Sequence, residues 1–537
     1  SPVDSASGQV MRLGTTWSPP DDPDLAEKDL REMKAAGFSI VRLGRLATAD
    51  LMVLADTLGI DVYQDLPVRA VPSNVLADTL PAARAIISDI AFMTHRHRSL
   101  KGIGLVDLLD SSDPEACEYV AELSELVRES AVAGTVAYYT TRFVDRDQCS
   151  PVADLVLLDL RDVDTSHVRR QVSLLAPMGP RVGVGAIGTW TDLDIEARGL
   201  NHIRSPESQA RYLERALGAV GSTSATGGFS IVFVHRWRDP TSTDDVFVDM
   251  VQRRYGLHNS SGGRRPAFDV ASGFATGKQT VFAFPAGGAG RTGWTWMTLL
   301  GWGLVSALGI AYATSPRMRH MVPRYFLAHA FYRDAVISGR ESLVSETLAL
   351  LVAAAGGVGM LSTIVAKELS YQPAFAAGRM WLSPEVRDFV GALIDQPWTL
   401  TIILASAYAL LAVIWISILS FLSRSRHTLL PAQAMMLVIW PQWPLVAFVL
   451  VSPALASVDE VARLAMAAIA AAIAVGLIVL AGTRTIADYW RCSRVSPGLI
   501  AVAAMFHPLT ILLLVAAVSA LRHPGEVQYL LHLMTRL

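Results

Sequence analysis

From about Trp294 onward the chain is a succession of apolar blocks of about 20 residues, and a block of that length crosses the hydrocarbon core of a bilayer as a helix. Six such blocks are read, at roughly 294–314, 343–365, 398–422, 429–452, 462–482 and 498–521. Before about Thr280 the chain mixes charge, glycine and short apolar runs as a water-soluble domain does. This division accounts for a 537-residue chain that is 52% hydrophobic with a mean hydropathy of +0.37. The expected layout is a first domain over 1–275, a linker over 276–293 and a transmembrane domain over 294–537. Two clues point to an extracytoplasmic first domain. The chain opens on SPVDSASG without methionine, as one whose leader was removed would. The short loops holding Arg317, Arg319, Arg324, Arg333 and Arg340, then Arg424 and Arg426, then Arg484, Arg491 and Arg494 belong in the cytoplasm by their positive charge. The reading is therefore a multi-pass inner-membrane protein of bacterial type, with both termini and the first domain on the periplasmic side.

Between Arg12 and His235 eight short β-branched or apolar runs alternate with stretches of helical periodicity, the pattern of a parallel sheet with crossover helices. They are RLGTTW (12–17), SIVRLG (39–44), DVYQDLP (61–67), KGIGLVD (101–107), TVAYYTT (135–141), ADLVLLDL (153–160), RVGVGAIG (181–188) and FSIVFVH (229–235). Eight units over some 270 residues suit a closed (β/α)8 barrel of the TIM type. An open doubly wound sheet ranks lower because its glycine fingerprint is missing from the first turn. Asp24–Ala36 is read as a barrel helix with Leu25, Leu30 and Met33 near one face, acids on the other, and Gly37 as its stop.

A net charge of −2 and the lack of a basic stripe with interleaved aromatics exclude nucleic acid as a partner. Cys117, Cys149 and Cys492 have neither metal-ligand nor redox spacing, so no metal and no cofactor is expected. In an oxidising compartment Cys117 and Cys149 would either pair or stay as buried thiols.

In a TIM-type barrel chemistry sits at the C-terminal ends of the strands. The residues there are Trp17, Arg42, Arg45, Asp65, Asp107, Asp110, Thr141, Arg142, Asp159, Asp162, Ala186, Thr189, Trp190, His235 and Trp237. Arginines, carboxylates and indoles at one mouth are what a sugar site uses, since hydroxyls need polar partners and the sugar's C–H face needs an aromatic platform. The plainer reading is that they form rim salt bridges and close the top of the core.

Four segments carry a resemblance: DDPDLAEKDLREMKAAGFSIVRLGR (21–45), LADTLGIDVYQDLP (54–67), HRSLKGIGLVDLLD (97–110) and YGLHNSSGGRRPAFDV (255–270). In this order they resemble the catalytic barrel of family 2 glycoside hydrolases, the β-galactosidase and β-glucuronidase group. The resemblance implies an Asn-Glu pair after the fourth strand, its Glu the general acid/base, and a nucleophilic Glu ending the seventh. Here Asp107 stands against the Asn, Leu108 against the acid/base, and Ala186 against the nucleophile, whereas Arg42 matches the arginine the family uses after its second strand. Retaining hydrolysis needs two carboxyl groups about 5–5.5 Å apart, and neither Leu nor Ala supplies one. The resemblance thus implies a pseudoenzyme whose mouth binds glycan or protein. Two alternatives remain: an active membrane-tethered glycosidase using Asp107 with Asp110 or Asp159, and a subunit of a polysaccharide exporter.

In the membrane domain, 318–341 is read as an amphipathic helix on the inner leaflet with Met318, Val322, Phe326, His329 and Val336 on one face, the alternative being a docking arm for a cytoplasmic partner. Trp440–Pro444 is expected to break the fourth span and His507-Pro508 the sixth. His507, an ionisable group at membrane depth, is a candidate functional residue, though a hydrogen-bonding residue at a proline kink is the plainer reading. A kinked bundle that packs against other membrane subunits fits best.

Overall fold

The computed structural model describes residues 12–68, 73–142, 146–175, 181–192, 199–202, 204–224, 231–240, 247, 254–287, 295–339, 343–380, 382–423, 429–458, 460–493 and 496–534. The chain forms two compact units: Ser1–Gly290 with Pro373–Gly391 and Gly525–Leu537, and Arg291–Gln372 with Ala392–Pro524.

In the first unit eight parallel strands close into a barrel in chain order. They are β1 (Arg12–Trp17), β2 (Ile40–Leu43), β3 (Asp61–Asp65), β4 (Leu100–Gly104), β5 (Val136–Thr141), β6 (Leu155–Arg161), β7 (Val182–Gly188) and β8 (Ile231–Val234). Around them lie α1 (Pro23–Ala35), α2 (Ala49–Leu58), α3 (Ser73–Thr94), α4 (Pro114–Ser130), α5 (Thr165–Leu175), α6 (Pro206–Ser224) and α7 (Pro266–Thr276). The two-residue period of a strand sorts its side chains between the helix layer and the barrel interior. Val41, Val62, Tyr139, Val156, Leu158 and Val232 join Leu30 and Met33 of α1 in the large core beneath the helices. Ile40, Tyr63, Tyr138, Leu157 and Phe233 form a separate apolar cluster. Two positions further along the same strands stand Arg42, Asp65, Thr140, Asp159 and His235, so an apolar layer in the interior is followed by a polar one. Gly104 and Gly185 make room for that layer: a Cβ at Gly104 would fall on the Asp65 carboxylate and the Tyr138 ring, and one at Gly185 would meet Leu157 at 2.8 Å.

Local chemistry explains the helix bounds. Asp22 caps α1, accepting from the Asp24 N–H at 3.1 Å, with Pro23 in the first turn where its missing N–H costs nothing. The expectation that the acids of this helix all face water fails at Asp29, which is fully buried and paired with Arg238. Strict strand-helix alternation fails between β5 and β6, where no helix occurs among the described residues. That connection is tied to α4 by a Cys117–Cys149 disulfide. After α7, residues 278–287 run along the barrel: Leu200 N donates to Pro285 O at 2.9 Å and Asn201 N to Ala286 O at 2.8 Å. The rest of the expected linker, 288–293, lies outside the described residues.

The remaining helices, in chain order, are α8 (Thr295–Thr314), α9 (Pro316–Leu327), α10 (His329–Ser338), α11 (Val344–Ser370), α12 (Pro373–Met380), α13 (Pro384–Asp395), α14 (Pro397–Ser423), α15 (Pro431–Ile439), α16 (Phe448–Ala456), α17 (Glu460–Ser493), α18 (Pro497–Met505), α19 (Pro508–Arg522) and α20 (Pro524–Met534). α12, most of α13 and nearly all of α20 belong with the barrel.

Among the described residues of the second unit five helical segments are long and apolar enough to cross a membrane, or six if α18 and α19, bent by 65°, count as one. α11 is the most enclosed at 67% buried, followed by the α15–α16 span at 61%, against 11% for α8 and 22% for α14, so α11 lies inside the bundle. Small residues allow this, as membrane helix packing requires. A Cβ at Gly357 would meet Leu445 O at 2.7 Å, and one at Gly359 would meet Thr401 O at 2.8 Å. The fourth span does break at Trp440–Ala447, a 3-10 turn between α15 and α16. Pro441 and Pro444 remove two amide donors there, and side chains supply other bonds, Trp440 Nε1 to Thr347 Oγ1 at 3.1 Å and Tyr408 Oη to Gln442 Oε1 at 2.9 Å. His507 is the N-cap of α19: its Nδ1 accepts from Leu509 N at 3.3 Å and its ring stands edge-on to Trp415 at 4.4 Å. The single amphipathic helix expected over 318–341 is instead two, α9 and α10, parted at Ala328. Of the arginines used to orient the chain, Arg340, Arg424, Arg426 and Arg494 lie outside the described residues.

Candidate functional site

The polar layer at the C-terminal ends of the strands is a closed set of charges. Arg42, on β2 and 1% exposed, donates through Nε to Asp65 Oδ1 at 3.1 Å, through Nη2 to Asp107 Oδ1 at 2.7 Å and through Nη1 to Gly185 O at 3.2 Å. A second set is centred on Asp159, which takes Arg161 Nη2 at 2.6 Å and Arg142 Nε at 3.2 Å. Arg161 Nη2 also approaches Asp107 Oδ2 at 3.8 Å and so joins the two. Hydroxyls add to this: Tyr138 Oη donates to Asp65 Oδ1 at 2.6 Å and Thr140 Oγ1 to Asp107 Oδ1 at 2.6 Å. Three carboxylates face three guanidinium groups, the balance that buried charge demands.

Each carboxyl's acidity follows from its place. Burial works to raise Asp107, but Arg42 and Arg161 outweigh it and hold the carboxyl below its ordinary value. Arg142 and Arg161 overcome burial at Asp159 in the same way. Among the described residues Asp65 has Arg42 alone for an ion pair and feels the Asp107 charge besides, so burial prevails and pushes it up to about 6. The arginines beside Asp107 and Asp159 thus favour the ionised form of both carboxyls.

Leu108, where the resemblance puts the acid/base, is 1% exposed. Its backbone has φ +58°, a conformation that costs a residue with a side chain about 1 kcal/mol. Hydrogen bonds hold it from both sides: Leu108 N donates to Thr140 Oγ1 at 2.7 Å, and Leu108 O accepts from Tyr529 Oη of α20 at 2.9 Å. The side chain packs with Ala374 and Ala377 of α12 and with Tyr529 and Leu533 of α20. Asp110 is bonded by His532 of α20 at 2.8 Å. Segments distant in sequence therefore cover the turn after β4.

The other sequence-derived residues are dispersed. Ala186 is buried, in register with Asp159 across β6 and β7. His235 Nδ1 lies 2.7 Å from Thr16 Oγ1, its ring edge-on to Tyr255. Trp17 and Trp237 are 1% and 0% exposed and belong to the core beneath the helices. Trp237 is ringed by Phe38, His258 and Phe268, so neither indole is a platform at the mouth. Trp190 is covered by the Arg204 guanidinium at 4.3 Å. Arg45 stays on the rim with Asp21 at 2.9 Å, and the ion-pair partners of Asp159 are Arg161 and Arg142. Arg161 was open to detection, since Leu155, Leu157, Asp159 and Arg161 follow the inward period of one strand. Tyr529 and His532 carry no such signal. Among the described residues no cluster of His, Cys, Asp or Glu could hold a metal ion.

No protein-family model and no curated protein matches the chain. Among solved structures, a GH2 β-galacturonidase from Eisenbergiella tayi bound to galacturonate is similar at 17% identity and TM-score 0.45, covering 51% of this chain and 53% of that one. A β-glucuronidase from an uncultured Clostridium is similar at 15% identity and TM-score 0.43, covering 50% of each chain. A Ruminococcus gnavus β-glucuronidase in complex with uronic deoxynojirimycin has 14% identity, TM-score 0.42 and 50% coverage of each. This chain spans about half the length of each.

Proposed function

We propose that this is a multi-pass membrane protein whose barrel no longer hydrolyses glycosides and serves as a folded platform within a larger membrane assembly. The observation that carries the reading is the state of the turn after β4. Leu108 stands there beneath Tyr529, and Asp107 and Asp159 are tied up by arginines. A sugar ring at this turn would have to displace α20, and the indoles it would stack on are buried, so a protein partner is favoured over a glycan.

Several features support a barrel on the outer side of the membrane. The Cys117–Cys149 disulfide belongs to an oxidising compartment. The arginines of α9 and α10, and Arg484 and Arg491 of α17, favour the cytoplasm for those ends. The barrel unit also contains Pro373–Gly391 and Gly525–Leu537. The chain must therefore cross an even number of times between the barrel and α12, and again between α13 and α20. The second condition is met when the bent pair α18–α19 counts as a crossing.

The test is turnover of aryl β-glucuronides, β-galacturonides and β-galactosides by the purified full chain, beside native pull-down from membranes. No turnover above that of the Asp107→Asn variant, with stoichiometric membrane subunits co-purifying, is the expected result. Hydrolysis that Asp107→Asn abolishes would reinstate an active glycosidase.

A further inference from the structure

We propose that α9 and α10 form a docking surface for the headgroups of anionic phospholipids. One face of the pair is committed to the bundle: Met318, Met321, Tyr325, Tyr332 and Val336 are buried, the two tyrosine rings lie 5.6 and 5.7 Å from Trp440, and Tyr332 Oη donates to Met436 O at 3.0 Å. The other face leaves Phe326, Leu327 and Phe331 at 49%, 88% and 68% exposure, on helices of 12 and 10 residues that are too short to span. Large apolar side chains left open beside the end of a span are what the boundary between headgroups and acyl chains covers.

The charge of the surface selects the headgroup. Arg317, Arg319, Arg324 and Arg333 lie on these helices and Arg484 lies over the Tyr325 ring at 5.1 Å. Against these five the neighbouring described carboxylates are Asp334, Glu346 and Asp488. Asp488 takes His329 Nε2 at 2.8 Å and Arg333 at 3.5 Å, and Glu346 takes the Ser315 hydroxyl at 2.6 Å and feels the Arg317 charge, which leaves Arg319, Arg324 and Arg484 against Asp334. Arg317 and Arg319 are exposed. Phosphate groups of a negatively charged leaflet complement that surplus, and aromatic side chains beside arginines suit the same interface.

The inference rests on this unit crossing a bilayer, which incorporation into nanodiscs reports by itself. The full chain is placed in discs of phosphatidylcholine alone or mixed with phosphatidylglycerol. Lipid retention is read by native mass spectrometry and deuterium uptake over residues 316–338. Retention favouring phosphatidylglycerol, with slower exchange over 316–338 in the mixed discs, is expected. The preference should fall by roughly fivefold per arginine in Arg317→Gln/Arg319→Gln, a variant that leaves the pairing with Asp488 intact. Equal retention of both lipids, a preference unchanged in that variant, or protection that appears only with a co-purifying protein overturns the proposal.

Discussion

The barrel interior and the membrane bundle solve the same problem by opposite means. At the top of the barrel Arg42, Asp65, Asp107, Asp159 and Arg161 are buried and specificity comes from matched charge. Around α11 the contacts are between backbones brought together at Gly357 and Gly359, and specificity comes from shape. Water once solvated the charges that the barrel buries, so each must find a partner. Lipid offers the helices no driving force beyond close packing and interhelical hydrogen bonds.

The comparison breaks hardest at Arg42. Arg42→Met leaves Asp65 and Asp107 buried without their common cation, and denaturant unfolding of the barrel should show a loss of about 3–5 kcal/mol. In the bundle Gly357→Val drives a side chain into the Leu445 carbonyl. The expected loss is about 1–3 kcal/mol, seen as a lower midpoint when the detergent-solubilised protein is titrated with a denaturing detergent. The smallest and most discriminating effect is on pH dependence. Asp65, with a folded pKa of about 6 above its unfolded value, favours the native state most below about pH 4 and loses that contribution as pH rises through 6. Asp107 and Asp159 are depressed, so their contributions hold above pH 4 and fade on acidification. Asp65→Asn should remove the decline between pH 4 and 6 and leave the acid limb in place, as measured by thermal unfolding across that range.

Much of the barrel was legible in the sequence because burial on both faces writes near-continuous apolar runs into parallel strands, and the observed strand positions match the expected ones closely. The spans were legible for a similar reason, since length and hydropathy set them. What escaped was pairing across long separations. Periodicity places Asp107 and Asp159 at the mouth but cannot say that Arg161, two residues after Asp159, pairs with it while Arg45 pairs with Asp21 on the rim. It also cannot tell an indole at a strand end that faces a cavity from one turned into the helix layer, as Trp17 and Trp237 are. The division of 318–341 into α9 and α10 follows from Ala328, whose dihedrals leave the helical region without a proline or glycine to announce it.

The bond from Tyr529 to the carbonyl of Leu108 joins positions 421 residues apart. During synthesis the strands of the barrel emerge long before α20 exists, and every intervening crossing has to be threaded before that tyrosine can reach the turn it secures. Until then Leu108 holds its unfavourable backbone with one support instead of two. The turn after β4 is thus completed only once α20 has been made.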